Sequence, residues 1–71
     1  MNKINPQKLL NSKWTAAIPK NKEKHFIVSE MEFDEDDVVL LCSLEAVMSK
    51  RSVSIDWHDL KDDSNWIYGW K

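Results

Sequence analysis

Residues 51–58 read RSVSIDWH, so that Val53, Ile55 and Trp57 alternate with Ser52, Ser54, Asp56 and His58. Only an extended backbone throws successive side chains to opposite sides, so this stretch predicts a strand with one apolar and one wet face. Just upstream, in VVLLCSLEAVMS, the even positions Val38, Leu40, Cys42, Leu44, Ala46 and Met48 are all apolar, and the odd positions carry Ser43 and Glu45. The even face is expected to line the core. The rival reading is a helix, because LEAVM contains good helix formers; turn signals on both sides favour a strand in a meander.

HFIVSEMEF, residues 25–33, also alternates, with His25, Ile27, Ser29, Met31 and Phe33 on one face and Phe26, Val28, Glu30 and Glu32 on the other. A long bent strand is predicted. DEDD at 34–37 is expected to be a solvated hairpin tip, since four like charges repel. SKWTAA is read as a short strand ended by Pro19 and the polar loop KNKEK. At the N-terminus, Asn5 is placed to cap a helical turn with Pro6 at its first position, a turn too short to hold unless Leu9 and Leu10 dock. Near the end, Asp63 or Ser64 is expected to cap a last helical turn whose Trp66 and Trp70, at i and i+4, share one face.

A chain of 71 residues is one domain, residues 1–71, with a core barely large enough to fold unaided. Two or three of its four tryptophans are therefore expected to be structural. The expected fold is mainly β: an antiparallel meander of three to four strands curled into a small barrel, with short helical turns at both ends. Curling hides the apolar face and the sheet edges together. An open sheet with both turns packed across one face is the alternative.

The segments NPQKLLNSKWTA, EKHFIV, LEAVMSKR and LKD, with Pro19, Asp56-Trp57 and the final Gly69-Trp70-Lys71, resemble a family of small bacterial tryptophan-rich proteins of unknown function. The resemblance covers nearly the whole chain. It implies no activity, ligand or catalytic residue.

The residues themselves argue for binding more than for catalysis. Cys42, His25 and His58 lack the closely spaced pairs of a zinc site, and Cys42 between Leu40 and Leu44 has none of the electropositive setting that activates a thiol. Asp34 and Asp36 lack the glycine and terminal glutamate of a calcium loop, and a single glycine leaves no phosphate-binding loop. No metal, cofactor or catalytic residue is expected. Charge is segregated: residues 1–24 carry six lysines and one glutamate, and residues 25–49 carry seven acids with no lysine or arginine. Aromatic and cationic side chains interleave in the basic block as they do on single-strand nucleic-acid binders, where rings stack on bases and amines follow phosphates. The candidate contact set is Lys13, Trp14, Lys24, His25, Arg51, Trp66 and Trp70. The leading expectation is a non-enzymatic module that binds single-stranded nucleic acid or a nucleic-acid-handling protein. The alternative is a protein-interaction or assembly module, a homo-oligomer included, that pairs through a strand edge and the DEDD tip. With one cysteine and no apolar run of membrane-spanning or signal-peptide length, no membrane partner is expected and the cytoplasm is the expected location.

Overall fold

The computed structural model describes residues 2–20 and 23–71. The chain forms five strands, β1 (Lys13–Lys20), β2 (Glu23–Phe33), β3 (Val39–Ala46), β4 (Ser52–Ile55) and β5 (Trp66–Tyr68), in one antiparallel sheet ordered β4-β3-β2-β1-β5. The strand reading of 38–48 holds over its helical rival: β3 is followed by a turn at 47–49. Part of the expected KNKEK loop lies outside the described residues. Its last two members, Glu23 and Lys24, open β2. Pro19 lies within β1, beyond Ala16, the last β1 residue paired with β5, so its missing N–H interrupts no ladder on that side.

The sheet is not closed into a barrel. Its edge strands β4 and β5 stand at opposite ends of the order, and they are only four and three residues long. Very short edges expose few unpaired backbone groups, so closure is not needed to protect them. What covers the apolar face is the irregular chain. A 3₁₀ turn at Pro6–Lys8, capped by Asn5, whose side chain accepts from the Gln7 N–H at 3.1 Å, delivers Leu9 to the core and leaves Leu10 exposed. A second 3₁₀ turn at Trp57–Lys61, capped by Asp56, delivers Leu60. Asn2 ties the two ends together, donating from Nδ2 to the carbonyls of Leu60 and Trp66, both at 2.8 Å. One sheet and one cover account for the thin 15 Å dimension of the molecule.

Leu9, Trp14, Phe26, Val28, Cys42, Leu44, Ala46 and Leu60 form the buried core, with Val53, Ile55, Trp57 and Trp66 packed against it. Strand parity therefore holds for β4 and for Cys42, Leu44 and Ala46. It fails at two bulges. Val28 pairs with Leu44 but Glu30 with Ser43, so Ser29 is an extra residue in β2; Glu32 pairs with Leu41 but Phe33 with Val39, so Leu40 is an extra residue in β3. Each extra residue reverses the alternation beyond it. Met31 thereby packs on the side of Phe26 and Val28, Val39 packs inward, and Val38 and Leu40 turn out to solvent. Met48 falls in the β3–β4 turn and is exposed. The DEDD tip is a turn organised by Asp34, whose Oδ1 accepts from the N–H groups of Asp36 at 2.8 Å and Val38 at 2.9 Å. Among the described residues no helix is long and apolar enough to cross a membrane.

Candidate functional site

The last six residues divide between the two faces of the sheet. β5 pairs with β1 in the register Trp14↔Tyr68, Thr15↔Ile67 and Ala16↔Trp66. Cross-strand partners share a face, so Trp66 and Tyr68 join Trp14 on the inner face. There Trp66 meets Phe26 edge-on at 5.2 Å, and Tyr68 tilts against Trp14 at 5.1 Å. The helical turn expected to carry Trp66 and Trp70 on one side is thus replaced by a strand followed by a reversal. Three residues cannot show a periodicity, and pairing with β1 decides their conformation.

The reversal is Gly69, at φ +84, in the left-handed region that glycine enters without strain. Its N–H donates to Lys13 O at 2.7 Å, and the chain then crosses the outer face of β1 and β2. Thr15 anchors it: its hydroxyl donates to Gly69 O at 2.6 Å and accepts from the Lys71 N–H at 2.9 Å. Covered in this way, Thr15 is buried although it lies on the face opposite the core. Trp70 is laid against the sheet with Nε1 donating to Phe26 O at 3.0 Å. The His25 ring lies 5.8 Å from the Trp70 ring, and His25 Nε2 is 3.1 Å from Lys71 O. Lys13 Nζ sits 5.0 Å from the indole centroid, a cation–π distance. The indole remains 44% exposed.

Of the seven residues singled out in the sequence, Lys13, His25 and Trp70 therefore come together. Trp14 does not join them: it is 1% exposed, with Nε1 donating to Ser12 Oγ at 2.8 Å. Trp66 belongs to the core side. Lys24 is exposed on β2 next to His25. Arg51 is held by Glu23, to which both Nε and Nη2 donate, and Ser49 Oγ donates to the same carboxylate. Thr15 and Lys71, which shape the cluster, are not among the candidate contact residues of the sequence. Nothing local marks Thr15, but a lone glycine immediately before an indole was a usable signal for the reversal.

The Glu23–Arg51 pair borders an inner-face groove of about 360 Å³, floored by Ala16, Phe26, Val53 and Trp66. Hydrogen bonds from Arg51, and then from Ser49, hold the Glu23 carboxyl below the usual carboxylate range. A depressed carboxylate binds its proton more weakly folded than unfolded. Its contribution to stability is thus present above the usual carboxylate range and is lost as pH falls through the lowered value. Thermal melts across acid pH should show a falling midpoint in the native protein and a flatter fall in Glu23→Gln; parallel curves would exclude this contribution.

Cys42 is buried, and desolvation, followed by the charge of Asp56, pushes its thiol up, which keeps it protonated. His58 pairs with Asp56, Nδ1 to Oδ1 at 2.7 Å, beyond the end of β4.

Residues 12–71 match the family model described as Tryptophan-rich protein (DUF2389). No curated protein and no solved structure matches the chain.

Proposed function

Since the chain belongs to this family of tryptophan-rich proteins, whose function is unknown, we propose that it is a non-enzymatic binding module for single-stranded nucleic acid. Its contact surface is the outer-face cluster of Trp70, Lys13, His25 and Lys71. The observation that carries the reading is the division of labour among the four tryptophans. Trp14, Trp57 and Trp66 serve the core, whereas Trp70 lies on the opposite face, fixed by its own N–H and half open to solvent.

An indole fixed by its edge offers its face without ordering cost when a base stacks on it. The Lys13 ammonium over that face can shift to a phosphate as the base arrives, exchanging a cation–π contact for an ion pair. The chain is acidic overall, with a pI near 5.6. Binding therefore rests on this local patch and on few phosphates, which makes the salt dependence shallow.

Titration of the protein with a ten-nucleotide oligothymidine at low salt should change its tryptophan emission. Trp70→Ala, whose side chain the core does not use, should keep its circular dichroism. It should bind about 5- to 150-fold more weakly, the loss of roughly 1–3 kcal/mol expected for one stacked base. An unchanged emission, or equal affinity in the variant, would overturn the proposal.

A further inference from the structure

We propose that the N-terminal half of β3 is an open strand edge that takes an extended apolar and basic peptide, as a strand in line with β4. This surface is distinct from the outer-face cluster. β3 pairs with β2 from Val39 to Ala46 but with β4 only from Cys42 to Glu45, so the backbone between Val39 and Leu41 has a neighbour on one side alone. β4 cannot extend to cover it. Asp56 ends the strand, accepting from the His58 N–H at 3.0 Å, and the chain turns into the 3₁₀ segment that buries Leu60.

The notch left behind is a groove of about 350 Å³ between Val38–Cys42 and Ile55–His58. Its side chains are unusually apolar for open surface: Val38 is 56% and Leu40 64% exposed, Leu40 because the bulge aims it outward. An unpaired edge of apolar residues is what strand addition uses, with main-chain hydrogen bonds supplying affinity and alternate side chains supplying selectivity.

Charge selects the occupant. The notch is flanked by the acidic tip at 34–37 and by Glu32 opposite Leu41; Asp56 on its far side is engaged by His58, which also lines the groove, and the nearest lysine in sequence, Lys61, is engaged over the Trp57 ring at 4.8 Å. A strand bearing lysine or arginine between apolar residues meets this rim favourably. A second copy of the chain would bring another acidic tip toward it, and like charges oppose that pairing.

The probe is a capped six-residue peptide of alternating valine and lysine, added to the ¹⁵N-labelled full chain, with a valine–glutamate peptide as control. The expected result is slowed amide hydrogen exchange between Val39 and Leu41. Affinity should decline as salt rises, the control peptide should not bind, and Leu40→Lys should weaken binding at least about 10-fold while leaving the rest of the amide spectrum unchanged. The proposal is overturned if the Val39–Leu41 amides gain no protection at saturating peptide, if the acidic peptide binds equally, or if Leu40→Lys binds as the native chain does. Sedimentation showing a dimer that Leu40→Lys dissociates would assign the edge to a second copy and overturn it as well.

Discussion

Replacing Trp14 with alanine is expected to remove most of the protein's stability, leaving about 0–2 kcal/mol and up to about half of the molecules unfolded at room temperature. The indole is 1% exposed, packs against Tyr68 at 5.1 Å and pairs across the ladder with Phe26. Truncating a buried tryptophan costs about 3–5 kcal/mol, because the lost transfer energy is joined by a cavity that so small a core cannot collapse to fill. A domain of this size has a net stability of roughly 5 kcal/mol, so little remains. Trp14→Phe separates packing from hydrogen bonding. It restores most of the volume but loses the bond to Ser12 Oγ, and it should fold with a urea midpoint between those of the native protein and the alanine variant. A Trp14→Ala protein that melts cooperatively near the native midpoint would show that the core does not depend on this ring.

The second large effect is expected at Leu60. It is the one buried side chain of the 3₁₀ turn at Trp57–Lys61, and the turn's other contact with the sheet is a half-buried Trp57. Leu60→Ala should cost about 2–5 kcal/mol, and it should also free the turn, so that Trp57 emission shifts to the red before global unfolding. Trp57→Ala should cost less, since that ring is already partly wet and carries the Lys61 amine. Equal losses at the two positions in urea titrations would contradict a cover held by Leu60.

Strand parity taken alone points to the opposite ranking, because it carries Trp57 inward as the third apolar residue of an alternating run. The run ends one residue earlier, where Asp56 turns into a cap. Capping was readable at Asn5-Pro6, where a cap residue and a proline stand side by side, but at Asp56 it was masked by an alternation that continued through it. The two bulges had no signal either. Neither Ser29 nor Leu40 is flanked by glycine or proline, and the extra residue exists only relative to a partner strand. Hence the uniform even face expected for 38–48 breaks at Leu40.

The openness of the sheet has a similar origin. A three-residue β5 is shorter than any repeat that could announce it, and its place beside β1 depends on contacts from the far end of the chain. The candidate site was legible to the extent that it rests on composition. Lys13, His25 and Trp70 stood out as ring and cation, and the glycine before Trp70 allowed the chain to fold back. Which rings would be withdrawn into the core, and that Glu23 would answer the charge of Arg51, depended on strand register.

The pairing of β5 with β1 also bears on the order of events in folding. Trp14 and Tyr68 are partners across 54 positions of sequence, whereas β2, β3 and β4 are neighbours joined by short turns. Local hairpins close early and distant pairings late, since the loop entropy of the long closure must first be met. The central meander is therefore the natural nucleus. A chain still emerging from the ribosome would hold its most valuable indole unshielded until Trp66–Tyr68 had also emerged.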